Sequence, residues 1–130
     1  MWRRRILLAT DGSRFSDAAA VAATRLAELC RLPVTVVSMI RESFNEERAA
    51  LAEEAATRVQ SHLRQKNIDA DKVVLRGDPD KLILETAQSR EADLIVMGTH
   101  GRTGWERVTV GSVTESVIGA SKIPVLAVKA

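Results

Sequence analysis

Read from its N-terminus, the chain alternates short, mainly apolar runs with longer stretches in which apolar residues return every three or four positions. The short runs are Ile6–Ala9, Val34–Ile40, Lys72–Leu75, Leu94–Met97 and Val125–Val128, all rich in β-branched residues. Runs of this length without polar alternation predict strands buried on both faces. The longer stretches predict helices. In the first, Phe15, Ala18, Ala22, Leu26 and Leu29 form an apolar stripe, with Ser13 as N-cap and Pro33 barring any continuation. The second runs from about Asn45 to Gln65, with Leu51, Ala55, Val59 and Leu63 facing inward. Glu46, Glu47, Glu53, Arg58 and Arg64 lie on its solvated side. Asp78-Pro79 opens a third, an acidic N-cap followed by proline at the first helical position, with Leu82, Ile83 and Ala87 toward the core. A fourth starts at Gly111-Ser112 and continues through Val113, Val117 and Ile118, where Ser112-Val-Thr-Glu115 reads as a capping box.

Strand and helix in alternation imply a parallel sheet covered on both faces. No internal repeat, low-complexity tract or linker interrupts the pattern, so residues 1–130 read as one doubly wound α/β domain, long enough to bury a core.

Composition narrows the function more than the fold. Net charge is +2, and the basic block is confined to Arg3–Arg5. With Trp2, Phe15, Phe44 and Trp105 as the whole aromatic complement, bases have little to stack on, and nothing points to nucleic acid. The single cysteine, Cys30, excludes an internal disulfide, suits a reducing compartment, and reads as a small buried hydrophobe on the first helix. The segment Trp2–Ala9 starts like a signal peptide, but its apolar run ends after four residues, and no stretch approaches the ~20 residues of a membrane span. A cytoplasmic protein with no membrane partner is the expectation.

The candidate chemistry lies where glycines gather. Five of the seven, at 98, 101, 104, 111 and 119, fall in one region, and Gly98-x2-Gly101-x9-Gly111-Ser112 follows directly on a buried run. Glycine serves where backbone takes φ > 0 or lies close to a ligand. Glycines that leave a strand and enter a helix present unpaired N–H groups at the positive end of a helix dipole, a ready phosphate site. Gly98 and Gly101 alone could serve a tight loop, but the third glycine at this spacing favours phosphate contact.

This spacing resembles the ATP-binding signature of the universal stress protein family, and the resemblance extends along nearly the whole chain. Ile6–Ser13 is similar to the family's first strand and acidic turn, and Val73–Pro79 to its third strand and helix start. Ala92–Gly98 and Ile123–Lys129 are similar to its fourth and fifth strands. The resemblance implies sheet order 3-2-1-4-5, in which growth reverses between strands 1 and 4. Ligands of such sheets bind beyond the carboxyl ends of the strands at that reversal. It also implies an adenine-nucleotide site formed by Ala9, Thr10, Asp11, Met39, Met97, Gly98, Thr99, His100, Gly101, Arg102, Gly111, Ser112, Val113 and Thr114. Ala9 and Met39 would flank the adenine, and Asp11 would reach base or sugar, or cap the first helix and shape its turn. Ser112 and Thr114 would touch phosphate or ribose. Two positions depart from the pattern: alanine stands at 9 where some relatives carry proline, and Arg41 stands where relatives often carry an acidic residue.

The ligand implied is ATP, or ADP or AMP, with Mg²⁺ held by phosphate oxygens and reached by Asp11 through water; one carboxylate is too little for a protein-held metal. His100 has no neighbouring nucleophile and reads as a hydrogen-bond donor to phosphate. Motifs of P-loop NTPases, dinucleotide-binding folds, α/β-hydrolases and zinc sites are absent from the sequence. Asp11 alone falls short of the acidic cluster of a receiver domain. Three functions remain: a nucleotide-binding stress regulator that acts through conformation or a protein partner, a slow ATPase or autokinase with Ser112 or Thr114 as acceptor, and a dimeric module without nucleotide. Intact glycines favour the first, with negligible to slow hydrolysis. In the implied order the apolar segment Ile123–Val128 is an edge strand, through which similar proteins pair as homodimers.

Overall fold

The computed structural model describes residues 4–100 and 110–130. Strands and helices alternate as β1 (Ile6–Thr10), α1 (Arg14–Cys30), β2 (Val34–Ile40), α2 (Glu46–Gln65), β3 (Ala70–Arg76), α3 (Pro79–Ser89), β4 (Leu94–Gly98), α4 (Ser112–Ala120) and β5 (Val125–Val128). The strands form one parallel sheet of order β3-β2-β1-β4-β5, as the resemblance implied, with Leu8 level with Val36 on one side and Val96 on the other. Apolarity sets the order: every residue of β1, β2 and β4 is buried, while β3 and β5, at the edges, are mostly half-buried.

Strand side chains alternate between two cores. On one face, Ile6, Leu8, Val34, Val36, Leu94 and Val96 pack against α1 and α2. On the other, Leu7, Ala9, Val37, Met39, Ile95 and Met97 meet Ile83 and Ala87 of α3 and Val117 of α4.

Helix α1 faces the sheet differently from expectation. Its buried residues are Ser16, Ala19, Ala23, Thr24 and Ala27, whereas Leu29 is 82% exposed. The buried face is the expected stripe turned by one position, with Leu26 half-buried against the core, and its small residues let the helix backbone approach the sheet closely. Cys30 is also exposed, against expectation. The helix stops there because Arg31 takes a left-handed conformation (φ 55°), and the N–H of Leu32 bonds back to the Ala27 carbonyl at 3.2 Å. Buried Leu32 thus covers the core that another helical turn would have covered, and Leu29 and Cys30 remain outside. On α2 the inward stripe is Ala49, Ala52, Ala55, Ala56, Val59 and Leu63, with Leu51 turned out, 42% exposed. Helix α3 starts at Pro79 as expected, but the Asp78 side chain makes no cap bond and instead pairs with Lys81 at 3.5 Å.

The amino ends of the strands are closed by carboxylates. Asp71 accepts hydrogen bonds from Thr35 Oγ1 at 2.6 Å, from the Arg5 guanidinium at 3.1 Å and from Arg90, tying β1, β2, β3 and the end of α3 together. Asp93 accepts from the main-chain N–H groups of Arg4 at 2.5 Å and Arg5 at 3.3 Å. Among the described residues, no helix is long and apolar enough to cross a membrane.

Candidate functional site

The carboxyl ends of the strands open a cleft of about 600 Å³ where sheet growth reverses between β1 and β4. Strand β1 contributes Ala9 and Thr10 and then turns sharply. Asp11 Oδ1 accepts from the Ser13 N–H at 2.9 Å, Gly12 supplies a positive φ of 80°, and Ser13 Oγ caps α1 by accepting from the Ser16 N–H at 3.2 Å. Asp11 therefore shapes the turn and lines the cleft at once. The turn-shaping role considered for it is real.

Strand β4 delivers Met97 and Gly98. A Cβ on Gly98 would stand 2.6 to 2.8 Å from Cβ, C and O of Phe15, so glycine here admits the first turn of α1. Thr99 is buried and does not line the cleft; its N–H donates to the Val128 carbonyl at 3.0 Å and its carbonyl accepts from the Gly111 N–H at 2.7 Å. His100 returns to the cleft wall. Its Nδ1 lies 3.1 Å from Thr99 Oγ1, and its ring centroid lies 4.9 Å from that of Phe15.

Helix α4 begins one residue earlier than a capping box requires. Gly111 is the N-cap (φ −69°, ψ 159°), its carbonyl accepting from the Glu115 N–H at 2.9 Å, and no side chain caps the helix. Ser112 is thus the first helical residue, exposed on the rim, and the expected Ser112–Glu115 capping box does not form. The cause is the Gly111–Thr99 bond, which fixes the chain entering the helix. A Cβ at Gly111 would lie only 3.2 Å from the Thr99 oxygen and 3.3 Å from His100 Cα. With glycine as cap, the N–H groups of Ser112, Val113 and Thr114 have no acceptor within the helix. Buried Thr114 Oγ1 donates to the Gly98 carbonyl at 2.8 Å and pins α4 to β4.

The structure thus gathers Ala9, Thr10, Asp11, Met39, Met97, Gly98, His100, Gly111, Ser112, Val113 and Thr114 around one cleft. Thr99 stands behind it, and Gly101, Arg102 and Trp105 lie outside the described residues. The far wall was not foreseen. Arg41, noted only as a departure, lines it with Ser43, Phe44, Arg48 and Leu51, and the Arg48 guanidinium lies 4.1 Å over the Phe44 ring. Ser16, Ala52, Pro79 and Ile83 complete the lining. The available signal was the four-residue step from Phe44 to Arg48, which puts both on one side of a helix start.

Chemically, the cleft joins an apolar floor of Ala9, Met39, Ile83 and Met97 to a helix N-terminus and one carboxylate. That combination suits a flat ring, a hydroxyl-bearing linker and an anion. Beside it, Ser116 Oγ donates to Asp80 at 2.8 Å, joining α4 to α3 and holding the Asp80 carboxyl below its ordinary value near 3.8.

The Universal stress protein family model matches residues 3–129. The chain is 36% identical to universal stress protein MJ0531 of Methanocaldococcus jannaschii, over 97% of this chain and 82% of that protein. The solved structure of the hypothetical protein MJ0577 superposes with a TM-score of 0.87 at 28% identity, covering 100% of this chain and 98% of that one. A universal stress protein from Archaeoglobus fulgidus, solved in complex with dAMP, gives a TM-score of 0.79 at 25% identity, covering 99% of this chain and 100% of that one.

Proposed function

The chain belongs to the universal stress protein family, and from that premise we propose that its cleft binds an adenine nucleotide, ATP or its di- or monophosphate. Occupancy then sets the shape that a regulatory partner reads during stress. The observation that carries this reading is the start of α4: three first-turn N–H groups, left without a capping side chain, border a cleft with an apolar floor. Phosphate meets those N–H groups, adenine lies between Ala9 and Met39, and Asp11 accepts from the ribose or reaches Mg²⁺ that enters on the phosphates. The dAMP complex of the Archaeoglobus fulgidus relative supports the ligand class.

The test uses proline as a main-chain probe. Proline is favoured at the first helical position, and Gly111 already has the extended backbone that precedes proline. Ser112→Pro should therefore keep the fold while deleting one donor. Calorimetry should show ATP bound about tenfold or more weakly than by the parent, with Ser112→Ala separating the loss of the hydroxyl from that of the N–H. Unchanged affinity in Ser112→Pro would place the phosphate elsewhere, and mass spectrometry of nucleotide released from purified protein would identify the natural occupant.

We further propose a cytoplasmic homodimer. Strand β5 lies at the sheet edge, with Leu126 38% exposed, and a second copy would pair antiparallel to Val125–Val128 about a two-fold axis. Light scattering at micromolar concentration should give twice the chain mass, and Leu126→Pro should halve it. ATP turnover should stay well under ~1 per second, since Asp11 is the one carboxylate among the described residues lining the cleft.

A further inference from the structure

The cleft carries two cationic poles, and a 5′-phosphate chain uses one. The first is the N-terminus of α4. The second lies across the opening, where Arg41 follows β2 and Arg48 rises from α2, with the Ser43 hydroxyl beside them. Stacking 4.1 Å over Phe44 holds the Arg48 guanidinium in place. Both arginines are exposed, and among the described residues neither has a carboxylate partner. Elsewhere, Arg4, Arg5, Lys66, Lys72, Lys81 and Arg90 each pair with a carboxylate.

Between the poles sits Asp11, at the end of β1. Because β2 and β4 flank β1, the strand ends bearing the two poles stand two inter-strand spacings apart, about 10 Å. A carboxylate at mid-cleft repels phosphate and accepts from sugar hydroxyls, whereas guanidinium groups grip phosphate through paired donors. A phosphate chain leaving one side of a ribose reaches one pole and leaves the other idle.

We propose that the ligand this cleft selects is an adenine nucleotide carrying a second phosphoryl group on its ribose, with the 5′-phosphate on α4 and the second on Arg41 and Arg48. The inference rests on the nucleotide site proposed above and deepens it. A phosphoryl group on the ribose 3′-oxygen occurs in a free nucleoside bisphosphate and in a 3′,5′-linked dinucleotide, and the two are separable by experiment.

Calorimetry at low salt would compare AMP, adenosine 3′,5′-bisphosphate and the 5′-phosphorylated dinucleotide pApA on the parent, Arg41→Gln, Arg48→Gln and the double variant. The parent should bind the bisphosphate at least about tenfold more tightly than AMP, and the ratio should fall to within about twofold in the double variant. Raising the salt should shrink the parent's preference, because exposed charges are screened. If pApA matches the bisphosphate, a linked phosphodiester is accepted; if it binds as AMP does, the free terminal phosphate is what the arginines hold. Equal affinity of the parent for AMP and bisphosphate would overturn the inference, as would a preference retained by the folded double variant. In those cases AMP binding would leave the nucleotide site standing; no binding by any of the three would remove both.

Discussion

At the amino ends of the strands one carboxylate, Asp71, gathers Thr35, Arg5 and Arg90. At the carboxyl ends, three main-chain donors of α4 and the guanidinium groups of Arg41 and Arg48 border a cleft. Both ends concentrate positive charge, yet among the described residues Arg5 and Arg90 pair with a carboxylate and Arg41 and Arg48 do not. Polar groups satisfied internally stabilise the folded state at once, whereas groups kept for a ligand contribute only when it binds. On the proposed reading, one end of the sheet serves folding and the other serves occupancy, a division that mutation can probe.

The largest effect should cross that division. Gly98→Ala puts a methyl within 2.6 to 2.8 Å of Cβ, C and O of Phe15, and α1 must shift away. Urea unfolding should show a loss of about 3 kcal/mol, as for overpacked cores. A loss under half that would mean that α1 yields easily and that Gly98 belongs to the ligand side alone. Asp71→Ala is the next in size. It strands the half-buried Arg5 guanidinium, and unfolding should register about 2 kcal/mol, with ATP affinity unchanged. Altered affinity would show that the two ends are coupled.

Ser112→Ala should do the reverse. Because Gly111 is the cap, stability should change by less than about 0.5 kcal/mol, where losing a serine cap costs about 1 kcal/mol. The smallest effect is pH-dependent. Asp80 lies below its ordinary value through its bond to Ser116, so that bond stabilises the fold above pH 3.8 and is lost as pH falls through the folded-state value. Thermal melts of Ser116→Ala should fall slightly short of the parent at neutral pH and converge with it in acid. A deficit that persists after the carboxyl is protonated in acid would assign the effect to something other than the charged carboxylate.

Much of this was legible in the sequence. Apolar runs and their spacing located all five strands, and the strand order followed from resemblance. Asp11 and Gly98 were readable because turn chemistry marks where strands stop, whereas Ala9 and Met39 came from the resemblance. Features set by close contact were not. The buried face of α1, through Ser16, Ala19, Ala23 and Ala27, lies one position round from the expected stripe, and Leu32 is buried where Leu29 and Cys30 are exposed. The cap of α4 depends on a bond from Gly111 to Thr99, twelve residues away and invisible to local pattern. The Arg41–Arg48 wall depends on the path of the chain between β2 and α2, of which only the Phe44–Arg48 step was readable.

The contact between Gly98 and Phe15 bears on how the glycine signature is to be interpreted across related chains. A descendant that abandoned its ligand would be released from any demand at Gly111 and Ser112, but α1 would still lean on the end of β4. Position 98 should then stay glycine as a relic of architecture, outlasting the activity beside it. Sorting members by whether they bind nucleotides therefore calls for the second half of the signature, because the first half survives for mechanical reasons.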